Sequence, residues 1–237
     1  MNRPEDIFKL VADGMRFGSS ISSVSESGGV STITTDNIYT LQNGMLIEVG
    51  NFVYPVSNII RTGLTEWTFD ITATGITALT WQLALYYEFG RALEVGNTLE
   101  ETKQDPTNKN KRFPLMWLLT DIEKDFDTID AADYRATVII GFIYISEDNL
   151  KAGQRLDNKF EPILDPLVEL FKDKIQNSTL KRYFVWPLDG SKIKIKQTDK
   201  FKYGSVDGNR NVFNDITDAI ELTIDLYFAM EENSCLN

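Results

Sequence analysis

The 237-residue sequence contains no histidine. Histidine is the side chain that titrates closest to neutral pH and the commonest metal ligand, so its absence removes the usual general base and lowers the expectation of catalysis. There is one cysteine, Cys235. A lone thiol closes no intrachain disulfide, so the fold needs no oxidising compartment. With no histidine to activate it, Cys235 is not read as a nucleophile. Positive charge is also short: 24 Lys and Arg stand against 35 Asp and Glu, a formal net charge of -11. That field repels nucleic acid and anionic membranes at long range and leaves room only for a local basic patch. No apolar run approaches the roughly 20 residues of a membrane-spanning helix. The opening residues, Met-Asn-Arg-Pro-Glu-Asp, hold no apolar segment of the signal-peptide kind, so no export signal is expected. Phosphate-binding loops, dinucleotide glycine fingerprints and Gly-x-Ser-x-Gly elbows are missing from the sequence, and no cofactor is expected.

What the chain does have is an ordinary globular composition, 42% hydrophobic and 25% charged. Its length allows one sizeable core, or a core with a small second module. Residues 134–146 stand out. Val138, Ile140, Phe142 and Tyr144 alternate with Ile139, Ile143 and Ile145, so both faces are apolar. Such a strand must be covered on both sides and belongs in the middle of a sheet.

Residues 5–17 place Ile7, Phe8, Leu10, Val11 and Met15 on one helical stripe, with Pro4 suited to the first turn. Residues 19–74 change texture: Gly28-Gly29, Asn43-Gly44 and Gly50-Asn51 punctuate runs rich in Ile, Val, Tyr and Thr. Strands are expected at 30–34, 38–41, 45–49, 52–60 and 67–72. Residues 76–103 carry Leu79, Leu83, Tyr86, Tyr87, Gly90 and Leu93 at helical spacing and predict a helix. A polar loop follows at 105–112, then a buried strand at 113–120. Residues 150–177 read as helical, interrupted by Pro162 and Pro166, which predict two pieces or a kink. Two short strands are expected around Asp189-Gly190. Residues 216–230 alternate strictly, with Ile220, Leu222, Ile224, Leu226 and Phe228 on the buried side. The order predicts an α+β fold: a mixed or antiparallel sheet with helices packed on one face, formed by residues 1–18 and 75–237, and a small all-β module inserted at 19–74.

Two stretches carry charge patterns. Asp121, Glu123, Asp125, Asp127, Asp130 and Asp133 form an acidic run between two expected strands. An EF-hand loop starting at Asp121 would want Gly and Glu where Phe126 and Ala132 stand, so a solvated loop is the preferred reading. Asp207-Gly208-Asn209-Arg210-Asn211 fails the same pattern and reads as a turn. Lys192, Lys194 and Lys196 alternate with Ile193 and Ile195, and Lys200 and Lys202 follow. A solvated edge that deters aggregation explains this strip. The functional reading is a patch that meets an acidic partner or passing DNA. Tyr39, Tyr54 and Trp67 are read as core of the β module before they are read as sugar or protein contacts.

The region from Tyr87 to about Phe184 carries Tyr-Glu-Phe-Gly, Leu-Glu-Val-Gly-Asn-Thr-Leu, Lys-Arg-Phe-Pro-Leu-Met-Trp-Leu and Asp-Ile-Glu. After these come Tyr-Arg-Ala-Thr-Val-Ile-Ile and a helix with Arg155, Phe160, Glu161-Pro162-Ile163-Leu164 and Pro166-Leu167. It resembles structural proteins of tailed phages of Bacteroidetes hosts, in particular the neck ring proteins of crAss-like phages and, more loosely, tail-terminator proteins. The resemblance spans roughly the last two thirds of the chain and rests on packing motifs. It implies a tail-terminator-like α+β fold, no catalytic residues, and a virion protein forming a homo-oligomeric ring in the head–tail connector. Its partners would be portal and other neck or tail proteins, with packaged DNA nearby. Lys192, Lys194, Lys196, Lys200 and Lys202 would face a neighbouring subunit or the lumen, and Asp121, Glu123, Asp125 and Asp127 would be the complementary acidic loop. The alternative is a soluble carbohydrate- or receptor-binding module working through the β insert; a hydrolase with paired carboxylates is a distant third.

Overall fold

A computed structural model describes residues 3–38, 41–106, 111–119, 123–125, 134–146, 149–177, 184–185, 193–201 and 216–228. Helix α1 (Pro4–Met15) starts on a proline, with Glu5 and Asp6 in its first turn, where the exposed N–H groups favour negative charge. Ile7, Phe8, Val11, Ala12 and Met15 form its buried face.

The chain then enters strand β1 (Gly18–Ser27), which turns through Gly28-Gly29 into β2 (Val30–Thr35). Both glycines have positive φ, 60° and 84°, as the two-residue hairpin turn matched to strand twist requires. Strand β1 is serine-rich and carries almost no propensity signal. It is held by ladders on both sides, to β2 and to the later strand β7 (Thr80–Leu83). Next come β3 (Leu46–Val49), β4 (Phe52–Pro55), β5 (Ser57–Arg61) and β6 (Trp67–Ile71). The single strand expected at 52–60 is two. Val56, 2% exposed, is the corner: its N–H donates to the Met45 carbonyl and its carbonyl accepts from Gly44. Residues 37–38 and 41 lie outside any strand, and 39–40 are outside the described residues.

The seven strands run in the order β4-β3-β7-β1-β2-β6-β5. Strands β4 and β5 occupy opposite ends of that order, yet only Val56 separates them in sequence. The two edges therefore meet, and the sheet curls toward a barrel. Asn58 takes a positive φ of 50° just past that corner, a conformation asparagine tolerates better than most residues.

The helix expected at 76–103 is corrected: the stretch is β7, then β8 (Tyr86–Gly90), then α2 (Ala92–Gln104). In β7, Trp81 and Leu83 are buried and Thr80 and Gln82 are not, so the period is two. Leu79, counted on the apolar helical face, is 79% exposed. Strand β7 sits between β3 and β1, so the first sheet draws in residues beyond 74.

The second sheet contains β8, β9 (Leu115–Leu119), β10 (Glu123–Asp125), β11 (Tyr134–Ile145), β12 (Phe184–Val185), β13 (Ile193–Phe201) and β14 (Thr217–Phe228). Between β11 and β12 the chain forms α3 (Ala152–Arg155), a π-helix (Leu156–Leu164) and α4 (Asp165–Asn177). The path is β12-β14-β11-β9-β8, with β10 also on β11 and β13 also on β14. Every ladder is antiparallel except β8 with β9. The protein is α+β with mostly antiparallel sheets.

Strand β11 is central, paired along twelve positions with β14 and on its other side with β9 and β10. Val138, Ile140 and Phe142 face α1, the π-helix and α4. Phe171 links these layers, with its ring 6.2 Å from Phe8 and 5.5 Å from Phe142. The expectation that helices keep to one face is corrected. Val95 and Leu99 of α2 pack with Leu115, Trp117, Leu119, Ile143 and Ala219 on the opposite face. All five residues of β9 are buried, so apolar side chains on both its faces need cover on both.

Pro162 neither breaks the helix nor divides it. It lies inside the π-helix, which closes with the Asp165 N–H donating to the Phe160 carbonyl five residues back. Pro166 is the second residue of α4, which continues directly from the π-helix. One continuous cluster of buried side chains joins α1, the first sheet through Ile33, Ile47, Phe69 and Trp81, and the second sheet through Met116, Val138 and Leu222.

Candidate functional site

The lysine strip lies on β13. This strand pairs with β14 from Ile193 opposite Ile224 to Phe201 opposite Thr217, and its other side has no strand partner among the described residues. It is an edge. Lys194 sits opposite Thr223 and Lys196 opposite Glu221. The Lys196 ammonium lies 3.3 Å from Glu221 Oε2, and the lysine side chain remains 72% exposed. Lys194 is exposed and makes no ion pair among the described residues. Ile195 between them is 51% exposed. Lys200 holds a position on the same strand, and Lys192 and Lys202 are outside the described residues.

The acidic run is only partly a loop. Glu123 and Asp125 belong to β10, opposite Thr137 and Arg135 of β11. Asp121, Asp127, Asp130 and Asp133 are outside the described residues. Strand β10 flanks β11 on the side away from β14, level with residues 225–227 of β14, whereas across from Lys196 the sheet runs through Glu221, Gly141 and Trp117 to Glu88 of β8. The two charged stretches belong to one sheet but lie at different levels along its strands.

Their register adds a second relation. Residues directly opposite each other, and residues two apart along a strand, share a face. Positions 123 and 125 align with 137 and 135, 137 aligns with 225, and 223 and 221 align with 194 and 196. Positions 137, 221, 223, 225, 194 and 196 share the face that does not carry α1 and α4. That face is polar over this region: the Thr137 hydroxyl donates to Asp225 Oδ1 at 2.6 Å, and Glu221, Thr223 and Asp225 are partly exposed.

Sequence reasoning misses a second polar centre. Glu48 lies in β3 between Ile47 and Val49, with its side chain only 7% exposed. Arg16 approaches Oε2 at 3.0 Å, and Lys111 approaches Oε1 at 2.9 Å. Gln82 Nε2 and the Tyr86 hydroxyl donate to Oε2 at 3.2 and 3.4 Å. Arg16 also stacks over the Tyr86 ring, 5.6 Å from its centroid. Burial first, then the Glu48 carboxylate, push the Tyr86 phenol above its ordinary value, so it stays a neutral donor. The cluster borders a cavity of about 620 Å³, completed by Glu101, Thr102 and Asp105. Both basic groups hold Glu48. Chemically the cluster is a clamp between the end of α1, the first sheet and β8. Its one sequence signal is a charge inside an otherwise apolar four-residue strand.

A third centre is Arg155, 1% exposed. Its Nη1 donates to Asp218 Oδ1 at 2.6 Å and to the Ser146 hydroxyl at 2.7 Å, and its Nε donates to the Leu150 carbonyl at 3.1 Å. This pair ties the start of the helical stretch to β11 and β14. A groove of about 640 Å³ runs beside the π-helix between Leu46, Val53, Phe113, Tyr144 and Ile163. Lys159 caps it with its ammonium 5.2 Å from the Tyr144 ring centroid.

Tyr54 and Trp67 are partly buried against the main hydrophobic cluster, as expected of module core. Tyr39, Asp189-Gly190, residues 207–211 and Cys235 are outside the described residues. Among the described residues, no three of His, Cys, Asp and Glu gather as metal ligands, and no helix is long and apolar enough to cross a membrane. No protein-family model and no curated protein matches this chain.

Proposed function

We propose that the protein is a non-catalytic virion component that assembles into a ring in the head–tail connector of a tailed phage, between portal and tail around the DNA channel. The observation that supports this most is that the two flanks of the second sheet differ: among the described residues β13, with Lys194 and Lys196, is outermost on one side and β8, with Glu88, on the other. A subunit whose left and right flanks differ and complement each other associates head to tail, and head-to-tail contacts close into rings when the rotation closes. The sequence resemblance to phage neck ring proteins points the same way, and the two-sided cover of β11 gives such a subunit a stiff frame. The tail-terminator-like likeness of the fold belongs to this proposal.

The test is capture on immobilised portal and on immobilised tail components of the phage that encodes the chain, with imaging of the captured material. The reading expects retention by at least one of them as annular particles. A protein retained by neither, but retained on a glycan or host-surface column, would overturn it in favour of a carbohydrate- or receptor-binding module.

A further inference from the structure

We propose that the subunits join knob into groove: the tip of the β5–β6 hairpin of one copy, led by Leu64, seats in the apolar groove beside the π-helix of the next copy. This rests on the ring reading and names its contact.

The argument starts from the tip. Residues 62–66 join β5 to β6. Leu64 at this turn is 90% exposed, and Ile60, just before it on β5, is 57% exposed. The turn is braced. The Thr62 and Gly63 N–H groups donate to the Glu66 carbonyl at 3.0 and 3.1 Å, and the Thr62 hydroxyl donates to Glu66 Oε1 at 2.9 Å. The Arg61 guanidinium lies 5.6 Å from the Trp67 ring centroid. It also donates to the Gly63 carbonyl at 3.0 Å and the Leu64 carbonyl at 2.6 Å. These bonds hold a leucine outward on a turn that is already ordered. A contact made through it loses little further backbone freedom, which is how preorganisation raises affinity.

The matching recess is on the same chain. The groove of about 640 Å³ has apolar walls from both sheets and the π-helix, among them Leu46, Val53, Phe113, Ile145 and Ile163. Its charges suit the tip. Lys159 places its ammonium over the Tyr144 ring and makes no ion pair among the described residues. Arg112 and Lys159 stand against Asp157, so the described lining is net positive. Glu66 at the tip is exposed and has no ion-pair partner among the described residues, so its carboxylate complements that lining. A lipid surface fits the tip poorly, because Glu66 beside a single leucine, in a chain of net charge -11, is repelled by anionic head groups. The occupant of the groove is therefore the tip of a second copy of this chain. Tip and groove are different surfaces, so the contact is head to tail, the kind that closes rings.

The experiment measures particle mass across protein concentration at low ionic strength for the wild type, Leu64→Ser, Glu66→Lys, Lys159→Glu and the Glu66→Lys, Lys159→Glu double variant. The wild type is expected to form a closed oligomer. Leu64→Ser is expected to weaken self-association roughly tenfold or more, since a buried leucine is lost from each junction. Each single charge reversal is expected to weaken it by up to about fivefold, and the double variant to regain it, because every junction again joins opposite charges. Unchanged melting temperatures confirm that the variants fold. Disulfide trapping locates the contact: in a Cys235→Ser background, a mixture of Leu64→Cys and Asn158→Cys copies under a mild oxidant is expected to give cross-linked dimers. A mixture of Leu64→Cys with Lys9→Cys is expected to give few. A Leu64→Ser protein that keeps the wild-type self-association, or equal cross-linking in the two mixtures, overturns the contact. Flotation of the wild type with phosphatidylcholine vesicles that Leu64→Ser abolishes, without any change in mass, also overturns it, since the tip would then meet lipid. If Leu64→Ser keeps its mass and is still captured by portal or tail components, the connector reading survives without this contact. A wild type that is monomeric and captured by neither sinks both.

Discussion

At the scale of single residues, the polar groups worth perturbing are buried ones that sequence periodicity does not mark. Arg155 and Asp218 are 63 positions apart, and no spacing rule links them. Removing one partner leaves the other charge buried, which costs about 3–5 kcal/mol. Asp218→Ala is expected to destabilise by that amount in urea unfolding. Arg155→Met combined with Asp218→Leu should recover most of the loss, since an apolar pair of similar volume needs no counter-charge. Glu88 offers a pH test. Burial raises its pKa above the ordinary 4.5, so the folded chain holds this proton to higher pH than the unfolded chain. The folded state then binds more protons in that window, and stability falls as pH rises through it. Asp165 acts in the same direction, raised by burial first and by Glu161 and Glu169, against Gln197 and Lys172. Glu88→Gln is expected to lessen the drop in urea midpoint between about pH 4 and pH 7, and an unchanged drop would show that the folded carboxyl titrates normally.

At the scale of elements, strands with strong alternation or apolar runs were legible and strands made by pairing alone were not. Residues 134–146 and 216–230 announce β11 and β14, because burial of one or both faces is written into their side chains. Strand β1 is invisible beforehand: ten residues rich in serine are strands only because β2 and β7 supply their hydrogen bonds. The segment 76–90 misleads because Leu79, Leu83, Tyr86 and Tyr87 match a helical period by accident, and the exposure of Leu79 exposes the accident. The lysine strip was legible as an alternating strand. Its outermost place among the described strands, across the sheet from β8, was not, because strand order is a long-range property. The turn at Gly44 shows what local reading does capture. Gly44 has φ 91°, and a Cβ there would stand 2.5 Å from Cβ of Pro162 in the π-helix. Gly44→Ala is therefore expected to cost about 1–3 kcal/mol, more than a turn glycine with open space around it. Gly28→Ala, at φ 60° with nothing nearby, is the comparison, and equal losses at the two sites would mean that the approach to Pro162 does not matter.

At the scale of the whole molecule, a curled first sheet and a helix-covered second sheet share one hydrophobic core, and β13 and β8 stand on opposite flanks of the second sheet among the described residues. Stiffness comes from that shared core and from the Glu48 and Arg155 clamps, which join elements far apart in sequence. Association is assigned to a contact whose charges are Glu66 and Lys159, so it should respond to salt, because exposed charge pairs are screened over about 10 Å at 0.1 M ionic strength. The most direct test is the mass of the wild-type protein in solution across protein concentration and ionic strength, with negative-stain images of the same samples. The account predicts a closed ring of one stoichiometry at low salt that falls apart toward monomer as salt rises. A monomer at every concentration at low salt, or open filaments of no fixed length, would contradict it.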